Sequence, residues 1–75
     1  MAAILKYVNT AQGVILFLFD IQHDTFRALN PTSAGAVIVD AAKGFVSAYG
    51  NSTSLNLRSV PEQDTAAIKK LLGMK

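Results

Sequence analysis

One pattern occurs twice in the chain. Val8-Asn9-Thr10-Ala11-Gln12-Gly13-Val14 returns as Val39-Asp40-Ala41-Ala42-Lys43-Gly44-Phe45. Each copy reads as a strand end, an Asn or Asp, a short polar loop, a glycine and a second strand. Such a loop closes most easily when its last residue takes a positive φ, which glycine adopts without steric cost. The pattern predicts two antiparallel hairpins with loops over 10–13 and 41–44. Only Val, Ala and Gly are identical between the copies, so convergence on a common turn accounts for it as well as duplication does.

Strands over 4–8 and 14–19 follow from the first copy. Pairing Asn9 with Val14 sets Val8 against Ile15, Tyr7 against Leu16, Lys6 against Phe17 and Leu5 against Leu18. Cross-strand partners share a face. One face therefore carries Leu5, Tyr7, Val14, Leu16 and Leu18, and the other Ile4, Lys6, Val8, Ile15, Phe17 and Phe19. Both are apolar, whereas a half-buried strand alternates with polar residues. This hairpin expects cover on two sides.

The second copy predicts strands over 35–40 and 45–50. Val37-Ile38-Val39 is a β-branched triplet suited to a pleated surface, and a helix through it would carry Gly35 and Gly44 in its interior. Pairing Asp40 with Phe45 places Val37, Val39, Val46 and Ala48 on one aliphatic face, the expected core face.

Between the hairpins, Asp20 can cap a helix, Phe26 and Leu29 lie three apart, and Asn30-Pro31 stops the run. A two-turn helix over 22–29 is expected, with an extended strand as the alternative. After the second hairpin, Leu55 and Leu57 alternate with polar residues, as in a short fifth strand or an extended arm. Ser59-Val60-Pro61-Glu62 matches a capping box with proline in the first turn. A helix to about Leu72 should bury Ala67, Ile68, Leu71 and Leu72. Glu62 and Asp64 near its start and Lys69 and Lys70 near its end complement the helix dipole.

The expected fold class is α+β. One antiparallel sheet of four to five strands, built from two hairpins, carries two helices in the order ββα-ββ(β)α within a single domain spanning 1–75. Short connections predict both helices on the same side of the sheet.

The chain has 75 residues and no cysteine, so no disulfide supplements a small core and thiol chemistry is excluded. It is 51% hydrophobic and only 16% charged, a composition that favours self-association. No apolar run approaches the roughly 20 residues of a membrane-spanning helix. The start lacks the basic-then-apolar order of a signal peptide, so a cytoplasmic location is expected.

Candidate functional residues are few. His23 lies between Asp20 and Asp24, which suggests a general base or metal ligand, yet no nucleophile or further ligand stands at a fixed offset; it reads equally as a surface residue or local hydrogen-bond partner. Tyr49, Asn51, Ser52, Thr53 and Ser54 form a small, hydroxyl-rich loop able to cradle an anion. It lacks the lysine and helix of a phosphate loop, and its hydroxyls could equally satisfy their own backbone. Lys6, Tyr7, Arg27, Lys43, Tyr49 and Arg58 could form a nucleic-acid surface, but seven basic residues at a net charge of +2 make no block. No catalytic set, metal site or cofactor site is indicated.

The leading expectation is therefore a non-catalytic interaction or accessory domain that forms a homodimer. If both helices share one face, the other face of the first hairpin is bare, and the candidate interface is Leu16 if that face is the one carrying Tyr7, or Phe17 and Phe19 if it is the opposite one. The alternative is that the 51–58 arm folds across it.

Overall fold

The structure, a computed structural model, describes residues 2–73. It is a small α+β fold with a four-stranded antiparallel sheet and a C-terminal helix. The strands are β1 (Ala3–Thr10), β2 (Gly13–Phe17), β3 (Ser33–Asp40) and β4 (Phe45–Tyr49), in the spatial order β2-β1-β3-β4. A seven-residue 3₁₀ helix, His23–Leu29, links β2 to β3. The two-residue strands β5 (Asn51–Ser52) and β6 (Leu57–Arg58) pair with each other, apart from the main sheet, and helix α1 (Pro61–Leu71) ends the chain.

Both hairpins form in the expected register. Asn9 pairs with Val14, Val8 with Ile15, Tyr7 with Leu16 and Lys6 with Phe17. Asp40 pairs with Phe45, and its carboxylate accepts the Lys43 backbone N–H at 3.3 Å. Gly13 and Gly44 take positive φ, 127° and 63°. The first loop is tighter than expected, because Thr10 still pairs with Gly13. The Leu5–Leu18 pair does not form: β2 ends at Phe17, and Ile21 N–H turns back to the Leu18 carbonyl at 3.1 Å.

The expected same-side arrangement of helices is not found. Helix α1 packs on the face of Tyr7, Val37, Val46 and Ala48, with Leu5, Val14, Leu16 and Val39 at its margin. The 3₁₀ helix and the β5–β6 ribbon lie on the opposite face, where Phe26, Leu55 and Leu57 pack against Val8, Phe17 and Ala34. Two apolar faces on the first hairpin require two covers, and the chain supplies one for each, the second only partial, since Ile4 stays 53% exposed. The segment expected as a fifth strand or arm therefore serves as a lid on the second face.

The helix over 23–29 is 3₁₀ rather than α. Asn30, at φ 53° and immediately before Pro31, ends it after about two turns. Asp20 does not cap it; Gln22 occupies that position with no side-chain bond.

Helix α1 differs from its sequence reading in two respects. The Ser59–Glu62 capping box is absent, and the N-cap is Val60. The Val60 N–H instead donates to the Asp64 carboxylate at 2.9 Å. The buried stripe runs through Asp64 and Ile68, one turn apart, and not on to Leu71 and Leu72. Ile68 is fully buried, whereas Leu71 is 54% exposed. Truncating Ile68 to Ala should cost about 2–5 kcal/mol, and Leu71→Ala well under half of that. Thermal unfolding of the two variants checks this order; equal midpoints would mean that α1 is rotated about its axis. Beside this stripe, the Thr65 hydroxyl accepts the Ala48 N–H of edge strand β4 at 3.0 Å, protecting part of an edge that has no charged residue or proline.

Candidate functional site

Reading the register across the sheet shows which parts of the second face are covered. Ile15, Val8 and Ala34 form one row, which the 3₁₀ helix and the β5–β6 ribbon cover. Phe17, Lys6, Ala36 and Tyr49 form the next row, at the edge of that cover. Ile4, Ile38 and Ser47 form a third, and Asp40 and Phe45 a fourth. Over these last two rows neither the 3₁₀ helix nor the ribbon contributes to the packed cluster. Ile4 is 53% and Phe45 50% exposed; Phe19 and Tyr49, at the border, are 57% and 40% exposed. Ile4, Ile38 and Phe45, with Phe19 and Tyr49, give an apolar surface on this part of the face, beside Ser47 and the buried Asp40.

A cleft of about 300 Å³ lies along the border row. Gly35 and Ala36 line it from β3, Lys6 from β1, Phe19 and His23 from the segment after β2, and Tyr49, Gly50 and Asn51 from the end of β4. Gly50, at φ 81°, turns the chain from β4 into β5. No carboxylate is among the lining residues. The Lys6 ammonium donates to the Ile21 carbonyl at 2.5 Å and sits 5.6 Å from the centre of the Phe17 ring.

His23 is buried rather than on the surface. Its Nε2 lies 3.0 Å from the Gly35 carbonyl oxygen, and since that oxygen can only accept, Nε2 carries the proton. Its ring stands edge-on to Phe17, 5.3 Å between centroids, and Phe17 also packs on Phe26 at 4.6 Å. The bond anchors the 3₁₀ helix to β3. Among the described residues no cluster of three or more His, Asp or Glu side chains is placed to hold a metal.

The remaining sequence candidates separate. Asn51, Ser52 and Thr53 line a small hollow of about 230 Å³ beside Asn56 and Arg58. Ser52 is buried there, and its hydroxyl accepts the Leu55 N–H at 3.3 Å. The Ser54 carbonyl accepts from the Arg27 guanidinium at 2.7 Å. The loop thus uses much of its hydrogen-bonding capacity on itself and on Arg27. Tyr7 is fully buried beneath α1, so it offers no ring for base stacking. Of the interface candidates, Leu16 faces α1, Phe17 is enclosed under Phe26 and His23, and Phe19 alone is largely exposed.

The most conspicuous polar cluster was not identified from the sequence as a cluster. Asp64 is completely buried. It accepts hydrogen bonds from the Tyr7 hydroxyl, the Asn9 amide at 3.1 Å, the Ser33 hydroxyl at 2.9 Å and the Val60 N–H. Burial alone would raise its pKa; the four bonds outweigh that and hold it below the usual carboxylate value. Burial and the neighbouring Asp64 push the Tyr7 phenol above its ordinary value. The cluster ties α1 to β1 and β3. Its closed, satisfied geometry leaves no room for a substrate, so its role is structural.

Among the described residues no helix is long and apolar enough to cross a membrane. Compared with protein-family models, curated proteins and solved structures, the chain has no significant match.

Proposed function

We propose that the protein is a non-catalytic interaction domain that self-associates through the uncovered rows of its second sheet face. What supports this reading is the surface formed by Ile4, Ile38 and Phe45 with Phe19 and Tyr49 at its border, which the chain's own lid does not reach. A second copy, related by a two-fold axis, presents the same rows in return. At about 150–250 Å² per large side chain, the exposed fractions of Ile4, Phe19, Phe45 and Tyr49 give roughly 300–500 Å² per copy. Two copies together approach the lower limit of about 1,000 Å² for a specific interface. The association therefore belongs to the weak class and should be sought at high protein concentration.

The interface lies toward β1, β3 and β4 rather than around Phe17. A charge at Phe17 would be buried inside the fold and would unfold it. The informative variants are Ile4→Asp and Phe45→Asp. Light scattering after size exclusion should show concentration-dependent dimerisation of the wild type, and a folded monomer of 8.0 kDa for each variant. A wild type that remains at 8.0 kDa at about 1 mM refutes the proposal, given that weak interfaces dissociate at concentrations on this order.

A further inference from the structure

We infer that the cleft between β3, the 3₁₀ helix and the end of β4 is a binding site for a small single-ring aromatic carboxylate. Its size is at the lower end for small-molecule pockets, about 300–1,000 Å³, which limits the ligand to one ring. Much of its lining is apolar: Phe19 and Tyr49 bring rings to it, and Gly35 and Ala36 of β3 form its floor. Small residues on the floor let a flat ring approach the sheet backbone closely.

Lys6 is the only Lys, Arg, Asp or Glu in the cleft lining. Lys6 supplies an ammonium, and the Tyr49 hydroxyl, the Asn51 amide and the His23 ring are polar groups that can each donate or accept. Asp and Glu are absent from the lining. The Lys6 ammonium carries three donors, and the Ile21 carbonyl occupies one of them. The two that remain can pair with a carboxylate while the ring packs between Phe19 and Tyr49. A cation would meet Lys6 with no compensating charge. A neutral ring would gain the apolar contacts but leave the charge-assisted bonds unmade. The site shares Phe19 and Tyr49 with the self-association surface, so a bound ring and a second copy compete for them, and a monomeric variant separates the two.

The test is an amide-resolved NMR titration with benzoate, and with benzyl alcohol as its neutral counterpart, on the wild type and on the Phe45→Asp variant. Benzoate should shift the Gly35, Gly50 and Asn51 amides saturably, with a dissociation constant on the order of 1 mM for so small a ligand. Benzyl alcohol should bind about tenfold more weakly, the factor expected of one charge-assisted bond. Lys6→Met, which keeps the apolar stem, should bring benzoate down to the level of benzyl alcohol. The benzoate-to-benzyl-alcohol ratio is read on the wild type, so it decides the matter even if Lys6→Met fails to fold. Equal binding of the two probes, shifts centred away from the cleft, or no saturable shift at all overturns the inference. Binding in Phe45→Asp at least as tight as in wild type supports a site complete within one chain. Binding lost in that variant overturns it.

Discussion

Asp64→Ala is expected to remove about 3–5 kcal/mol of folding stability, because it leaves two fully enclosed donors unpaired at about 1–3 kcal/mol each and weakens two others. The enclosed donors are the Tyr7 and Ser33 hydroxyls; the Asn9 amide and the Val60 N–H lose the same acceptor. A fold of this size has only about 5–15 kcal/mol in total, so the variant should be partly unfolded at room temperature. Asp64→Asn keeps the shape but replaces one acceptor oxygen with a donor, and should lie between wild type and Asp64→Ala. The same cluster sets the dependence on pH. The Asp64 pKa is lower folded than unfolded, so its contribution is complete above the unfolded value of about 3.9 and is lost as pH falls through the folded value. The Tyr7 pKa is higher folded than unfolded, so its contribution is complete below about 10 and is lost as pH rises beyond that. Urea unfolding of wild type at pH 7, 3 and 11 should show the highest stability at pH 7. An Asp64→Ala midpoint within experimental error of wild type would exclude the cluster as the clamp between α1 and the sheet.

Gly35→Ala is expected to cost about 3 kcal/mol or more, at the upper end for over-packing. The reason is space and not torsion angle. A Cβ at residue 35 would fall inside the contact radius of the Tyr49 carbonyl oxygen, with Ser59 Cβ at 3.3 Å and the Gly50 carbonyl carbon at 3.4 Å. The nearest obstacle is backbone in a hydrogen-bonded strand, which cannot swing aside as a side-chain tip would. Gly44 is the control. It sits at φ 63° with open space around its missing Cβ, so Gly44→Ala meets only the left-handed penalty of about 1–2 kcal/mol. The two denaturation midpoints give the comparison. If Gly44→Ala proves the more damaging, the close packing of β3 under the β4–β5 bend is incorrect. Gly35→Ala should also disturb the cleft, since Gly35 lies on its floor and its carbonyl holds His23.

The candidate site was legible residue by residue but not as an arrangement. His23, Tyr49 and Asn51 stood out for chemistry and Phe19 for its ring, yet they lie in two segments far apart in the chain. Nothing in their spacing brings them together; the turn after β2 and the bend at Gly50 do so. Lys6 looked like one more scattered cation until the sheet order placed it in the row between Phe17 and Ala36. Asp64 was misread for a related reason. An acid in the first turns of a helix is ordinarily solvated and assists the dipole. What reverses that reading is the set of donors on β1 and β3, far away in sequence.

Local interactions determined the two hairpins, their registers, the glycine turns and the position of the C-terminal helix. Each rests on contacts between near neighbours: alternation along a strand, a turn residue with positive φ, a proline in a first helical turn. The sequence also indicated that both faces of the first hairpin are apolar and need cover. Which cover goes where was decided only by tertiary structure. The order β2-β1-β3-β4, the placement of α1 and the 3₁₀ helix on opposite faces, and the ribbon's reach over one half of the second face all follow from long-range packing. Strand pairing across a sheet and the burial of one helix stripe rather than its neighbour depend on matching surfaces that meet only after the chain has closed. Leu71 and Asp64 show this most plainly: the apolar residue faces water and the charged one the core, because the Tyr7, Asn9 and Ser33 donors wait beneath the helix.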